Sequence, residues 1–469
     1  MRAASELPYK YNLRFVWMIS LIAAMGGLLF GYDWVVVGGA RPFYEPYFGL
    51  NSPALQGWGA SSALVGCLIG AMVSGGLSDK FGRKRLLILA GVLFTISAIG
   101  TGLAGDFFWF NLFRILGGVG IGLASNLSPM YIAEVSPAAL RGRLVSFNQL
   151  TIVIGVLLAQ TVNWLISLND SLLPDNATTA MILESWNGQV GWRWMFAAET
   201  VPALCFVGLM FLVPESPRWL IKNGRDAAAR RILVRLGGKE YADFEVEDIK
   251  QTIATSEIAR VNFRDLLEPR LAKVILIGVI LALYQQWCGI NVIFYYASDI
   301  FQAAGFDIKD VMLNIVITGV VNLFFTFVAI GTVDRVGRKV LMLIGSAGLA
   351  LSYAMLGFSF YTGASGGLVV ALTVTAIAFY AFSLAPVTWV LLSEIFPNRI
   401  RGAAMSVAVF SLWVGCLTLS YSFPSLNLNL GSAYTFWLYG AICLAGFFYV
   451  LIVLPETKGK SLEDIEREW

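Results

Sequence analysis

Histidine is absent from all 469 residues, and charged residues make up only 13% of them. Without histidine the chain lacks the usual general base and the commonest metal ligand. No metal site and no cofactor is expected. A soluble domain carries nearly twice that charged fraction. Cysteine is scarce as well. Cys67, Cys205, Cys288, Cys416 and Cys443 all sit in apolar stretches, far apart. They form no metal-ligand spacing and suggest no disulfide framework, so packing is the role expected of each. No nucleophile–base pairing is visible that would make a membrane enzyme. Gly459-Lys460-Ser461 looks like the end of a phosphate loop, but Leu454 stands where its first glycine should be. An ATP-driven pump is therefore not supported.

What the chain has in abundance is apolar length. Its residues are 57% apolar and the mean hydropathy is +0.72. Runs of about 20 apolar residues recur, each long enough to cross a ~30 Å hydrocarbon core. Twelve are predicted, near 15–38, 57–77, 86–105, 107–128, 146–166, 194–213, 272–303, 311–332, 340–361, 367–392, 403–423 and 434–454. The expected fold is an all-α membrane protein of twelve transmembrane helices in two pseudo-symmetric six-helix bundles. The first 14 residues are polar and no small-residue cleavage site follows the first run, which reads as a retained span. All but Arg41, Arg114, Arg193 and Lys309 of the 33 Lys and Arg fall in the termini or the loops after even-numbered spans. The positive-inside rule then places both termini in the cytoplasm. The same placement explains the basic residues without nucleic acid.

The predicted domains are 1–213 and 272–469, each a bundle, with 214–271 between them as short cytoplasmic helices. Ala227, Ile232, Leu233 and Leu236 fall near one helical face of that middle segment. The longest outer loop, 167–190, contains the triplet Asn176-Ala177-Thr178, a common chance match to a glycosylation sequon.

Two charged hairpins repeat. Residues 79–84 (Asp-Lys-Phe-Gly-Arg-Lys) return as 334–339 (Asp-Arg-Val-Gly-Arg-Lys). Glu134, Pro137, Arg141 and Gly142 recur as Glu394, Pro397, Arg401 and Gly402. A membrane chain that repeats its hairpins is a duplicated bundle, the usual architecture of secondary transporters. Asp79, Arg83, Glu134, Arg141, Asp334, Arg338, Glu394 and Arg401 are expected to form charge pairs that hold a cytoplasmic gate.

Charges inside a span are expensive and face an aqueous cavity or each other. Asp33 lies about six residues before the predicted outer end of span one, and Arg114 about seven after the outer start of span four. At 1.5 Å rise per residue both should sit at similar depth, roughly 10 Å below the surface. Glu199 falls near that level, and the three are expected to form a buried cluster. If a change of state moves Arg114 away, Asp33 takes up a proton.

Span seven carries Gln285, Gln286, Gly289, Asn291, Tyr295 and Tyr296. Amides both donate and accept, which suits a neutral polyhydroxyl ligand, and Gly289 can open the helix there. Gln149, Gln160 and Asn163 lie on one stripe of span five, together with Val156. Amides on two helices favour a lined cavity. Trp389 and Trp413 could offer flat faces to the C–H groups of such a ligand.

In combination, these residues resemble the sugar porter family of the major facilitator superfamily over nearly the whole chain. The motifs are Gly31-Tyr32-Asp33, 79–84, Arg114 with Gly117-Gly118, and 134–143, then 214–219 (Pro-Glu-Ser-Pro-Arg-Trp), 285–296, 334–339, Pro386 with Trp389, 394–402 and 455–459 (Pro-Glu-Thr-Lys-Gly). The resemblance is greatest to bacterial proton–monosaccharide symporters of the xylose and glucose type, which have Asp at the position of Asp33, where facilitative animal carriers have Asn. It implies sugar contacts at Gln149, Gln285, Gln286, Asn291 and Trp389, a polar neighbour at Asn322, and aromatic neighbours at Phe30 and Tyr295. Leu412 departs from the family's Gln or Asn before the Trp matched by Trp413, Val156 from the Gln of xylose carriers, and Ala385 from the Gly before Pro386. The implied activity is symport of a monosaccharide with a proton across the cell inner membrane by alternating access, by a monomer in the lipid bilayer. The alternatives are a proton-independent uniporter and, further off, a transporter-like sugar receptor.

Overall fold

The computed structural model describes residues 9–170, 177–258, 268–364, 366–397 and 400–458. The side chains of Asp334 and Arg401, and Asn176 of the sequon, lie outside the described residues. Every regular element among the described residues is helical. Lipid leaves little choice, because a helix satisfies its backbone groups internally.

The first half begins with α1 (Leu13–Phe48), α2 (Pro53–Phe81), α3 (Arg83–Leu103), α4 (Phe107–Val135) and α5 (Ala138–Ser167). A short outer helix, α6 (Thr179–Glu184), follows. The sixth span is composite: a π turn at Asn187–Gly191, then α7 (Trp192–Ala197) and α8 (Thr200–Met210). Two helices, α9 (Pro217–Lys222) and α10 (Asp226–Ile258), join the halves. The second half comprises α11 (Pro269–Trp287), α12 (Ile290–Tyr295), α13 (Ala297–Ala303), α14 (Ile308–Val336), α15 (Arg338–Thr362), α16 (Gly366–Phe382), α17 (Leu384–Ile395) and α18 (Arg401–Val453). One pair of spans is obscured by continuity, and one span by breaks. Helix α18 is 53 residues long and turns back at Gly431, φ 80° and ψ 161°, so it is two crossings. The seventh span is broken twice, at Gly289 in the left-handed region (φ 87°) and at Tyr296 (φ −122°, ψ 22°). The first break was legible in the glycine and the second was not. Twelve crossings result.

The first span overruns its predicted end by ten residues, and α1 spans 36 residues in all with Pro42 and Pro46 inside it. Asp33 is thus about 22 Å from the outer end of α1 at 1.5 Å per residue, not 10 Å. Arg114 keeps its expected distance from the start of α4.

Large apolar side chains such as Leu103, Phe108, Met72 and Ile452 are mostly exposed. On a soluble protein such a belt would be an association surface; here it meets hydrocarbon. The two halves pack against each other through α1 with α12 and α13, α2 with α18, and α5 with α14.

Between the halves, α10 doubles back at Gly238 (φ 85°). Arg230 grips Asp243 at 2.6 and 3.0 Å, and Lys250 meets Asp226 at 2.5 Å, across the resulting hairpin. Leu233 and Leu236 are buried as expected, but Ala227 is exposed and Ala229 takes the inward place, in a cluster with Trp219, Leu220, Ile221 and Ile249.

Candidate functional site

The helices bring Asp33 and Arg114 together. Both are at most 2% exposed. Arg114 Nη1 donates to Asp33 Oδ1, and Nη2 donates to the Asp33 carbonyl at 3.1 Å. The guanidinium also lies 5.4 Å from the centroid of Phe196. Gly117 makes room for this: a Cβ there would sit 2.5 Å from Asp33 Oδ2. Glu199 is buried within electrostatic reach of both residues. It does not join the ion pair, and its Oε1 has no hydrogen-bond partner. Asp33 Oδ2 and Arg114 Nε are likewise unpartnered. Two buried carboxylates therefore lie near one guanidinium that pairs with Asp33 alone, with acceptor atoms to spare.

Toward the second half, the broken span presents a chain of amides. Asn291 Nδ2 donates to Gln286 Oε1 at 2.5 Å, and Gln286 Nε2 donates to Gln285 Oε1 at 3.1 Å. Gln285 Nε2 then donates to the carbonyls of Leu384 (3.1 Å) and Ala385 (3.2 Å). The last two belong to α17, just past the break at Ser383, so the broken tenth span holds the amides of the seventh. Ala385 contributes only its carbonyl, which any residue would supply. Gln286 is the link with a partner on each side. Replacing it with Leu removes a donor and an acceptor from a buried chain, a loss of about 1–3 kcal/mol. The expected outcome is a lower midpoint of thermal unfolding of the purified protein in detergent.

Aromatic rings bridge the halves beside these amides. Phe30 on α1 lies 6.0 Å from Trp413 on α18. Trp34, one turn further along α1, lies 5.4 Å from Phe294 and 5.6 Å from Tyr295. Trp34 was not picked out from the sequence; its i,i+4 spacing from Phe30 was the available signal. Trp413 is buried with its indole nitrogen unpartnered, whereas Trp389 is 37% exposed. Asn322 is buried, and half-buried Gln149 has no hydrogen bond among the described residues. The α5 stripe divides its labour. Asn163 Nδ2 donates to the Val36 carbonyl at 2.9 Å, and Gln160 Nε2 reaches Thr318 Oγ1 on α14 at 3.3 Å. Those two amides join helices, which leaves Gln149 as the stripe's free amide. Val156 and Leu412 are buried.

At the end of the bundles where the charged hairpins lie, the repeated motifs build two matching networks. Arg83 reaches Glu134 at 3.0 Å and Asp79 at 3.3 Å, while Lys222 holds the other Asp79 oxygen at 2.8 Å. Arg338 reaches Glu394 at 3.1 Å, and Thr457 donates to the other Glu394 oxygen at 2.6 Å. Arg141 donates to the Ala133 carbonyl at 3.0 Å. Each of these contacts stays within its own half except that of Lys222, which lies on α9 between the halves. The described pairs staple helices inside a bundle.

The residues missed here are Glu215 and Glu456. Glu215 Oε1 accepts from the backbone of Arg83 (3.0 Å) and Lys84 (3.1 Å), the first N–H groups of α3. Glu456 accepts from Arg338 (3.0 Å) and Lys339 (3.1 Å), which open α15. Gly82 and Gly337 stand at those N-caps with φ of 93° and 109° and offer no side chain of their own. A distant carboxylate therefore caps each helix and meets its positive end. The recurrence of Pro-Glu at 214–215 and 455–456, after the sixth and twelfth spans, was the sequence signal. Glu215→Gln and Glu456→Gln should each cost about 1–2 kcal/mol. The expected reading is a lower midpoint of thermal unfolding in detergent, similar for the two and additive in the double variant.

Comparison with known proteins supplies a frame for this geometry. The family model "Sugar (and other) transporter" matches residues 19–469. The D-xylose-proton symporter of Escherichia coli K12 is 40% identical, over 98% of this chain and 97% of that protein. The arabinose-proton symporter of Bacillus subtilis is 38% identical, over 98% and 96%. Among solved structures, a partially occluded inward-open form of the E. coli xylose transporter aligns with a TM-score of 0.83 at 38% identity, covering 96% of this chain and all of that one.

Proposed function

The chain belongs to the sugar transporter family, and from that premise we propose that it carries a monosaccharide across the bilayer together with a proton, by alternating access. The observation that carries the coupling is the buried trio of Asp33, Arg114 and Glu199. With both acids ionised the trio has a net charge of −1 in a medium that penalises it. One bound proton makes it neutral. Asp33 is the acid whose proton the cycle can gate, because of the two it is the one ion-paired to Arg114. When α1 shifts against α4 within the first half during the change of state, separation of Arg114 from Asp33 strengthens the demand for that proton, and their reunion expels it.

The sugar binds between the halves. Gln285, Gln286 and Asn291 meet its hydroxyls, with Gln149 opposite, and Phe30, Tyr295, Trp389 and Trp413 take its C–H faces. Trp34 adds an aromatic wall. Asn322 serves as a further polar neighbour. Val156 and Leu412 leave the α5 and α18 walls less polar than an amide would, which favours a sugar with few hydroxyls to satisfy there. The bound sugar must favour the closed arrangement over the open one, because equal affinity for both shifts nothing. The cytoplasmic staples keep each bundle rigid as it turns. Both termini lie in the cytoplasm, and the working unit is the monomer.

Uptake of a panel of labelled pentoses and hexoses by purified protein in liposomes, with and without an imposed pH gradient, tests this reading. One sugar should accumulate only when the outside is acidic. Uptake that reaches the same plateau with and without the gradient would select facilitated diffusion instead.

A further inference from the structure

The basic residue that the topology leaves on the outer side of span one is built into a contact between the halves. Arg41 is 2% exposed on the outer third of α1. Its Nη1 lies 2.8 Å from Asp299 Oδ2 on α13, in the opposite half. Its Nε meets Glu45 one turn further along α1. Its guanidinium carbon sits 4.0 Å over the ring of Tyr296, the residue at which span seven breaks for the second time. Tyr296 in turn donates its hydroxyl to the Ser420 carbonyl on α18 and packs 4.5 Å from Phe423. Above the pair, a cavity of about 240 Å³ lined by Arg41, Asn51, Gln56, Asp299, Phe423 and Asn427 separates it from the outer surface.

We propose that Arg41 and Asp299, with Tyr296 beneath them, are the extracellular gate of the transport cycle. The proposal rests on the carrier reading and adds residues that reading does not use. Three features suit the pair to opening and closing. It joins the two halves, so it must break when the outer face opens. The break strands no charge: Arg41 keeps Glu45 on its own helix, and Asp299, already 37% exposed at its side chain, turns toward the water of the cavity. Finally, α13 is a seven-residue helix bounded by the bend at Tyr296, so Asp299 rides on a piece that can pivot. A partly buried ion pair with a standby partner holds the closed state without making it irreversible.

The test uses Ser420→Cys as a reporter. Ser420 is fully buried beneath Tyr296, and the exchange changes little in volume. A membrane-impermeant maleimide is added to right-side-out vesicles, and labelling is measured above the background of the five native cysteines. In the parent, labelling at position 420 should be slow. Asp299→Asn and Arg41→Gln should each raise its rate by about fivefold or more, while Asp299→Glu keeps it near the parental value. Yield and thermal stability of each variant show whether it folds. Labelling in folded Asp299→Asn and Arg41→Gln that stays at the parental rate overturns the proposal, as does an equal rise in Asp299→Glu. The measurement needs neither sugar nor proton gradient, so it stands or falls separately from the identity of the cargo and from coupling.

Discussion

Replacing Asp33 with Asn is expected to abolish accumulation while sparing exchange. Asn keeps the size and polarity of the side chain but has no proton to gain or lose. At one proton per sugar, the stoichiometry proposed for the wild-type protein, a driving force of 100 mV supplies about 2.3 kcal/mol, enough for roughly 50-fold accumulation. In the variant that ratio should fall to about one, since the sugar then only equilibrates. Exchange of labelled for unlabelled sugar across the membrane asks for rocking but no net proton movement, so it should continue. The measurement is paired: the plateau of uptake under an imposed gradient, and counterflow without one. A variant that still concentrates sugar would remove Asp33 from the coupling step.

Arg114→Met should have the largest effect on stability. It leaves the Asp33 and Glu199 carboxylates buried with no cation. Breaking a buried pair from one side costs about 3–5 kcal/mol, most of it the penalty of the stranded charge. The second half of the prediction is what separates charge from packing. Adding Asp33→Asn to Arg114→Met removes one of the stranded carboxylates and should recover most of the loss. Thermal unfolding in detergent, run as a double-mutant cycle, reads this as a coupling well outside additivity. If the double variant is no more stable than Arg114→Met alone, the interaction is not electrostatic in the way described.

Much of this site was visible in the chain because membranes make charge informative. Asp33, Arg114 and Glu199 stood out as ionisable groups in apolar runs, and the structure brings them within reach of one another. The distance of Asp33 from the end of its helix was misjudged because apolarity marks where lipid begins, not where a helix ends, and α1 continues through two prolines to Phe48. Repetition of the charged motifs exposed the duplication, yet it could not tell which acid meets which base. Two copies of the same letters allow pairing within a half or between halves, and only packing chooses. The α5 amides show the same limit. Gln149, Gln160 and Asn163 share a stripe, but a stripe of helix α5 faces both α1 and α14, and Gln160 and Asn163 are used to hold those helices. Arg41 drew notice only as an exception to the positive-inside pattern; its partner, 258 residues later, had no signature at all.

The most direct test of the central claim follows the proton rather than the sugar. Liposomes holding the purified protein and a pH-sensitive dye are given sugar on the outside, with no pH gradient at the start. Wild-type protein should acidify the lumen as sugar enters, and Asp33→Asn should take in sugar without changing the lumenal pH. Equal acidification by the two proteins would contradict the account, because the proton would then be travelling by some other group.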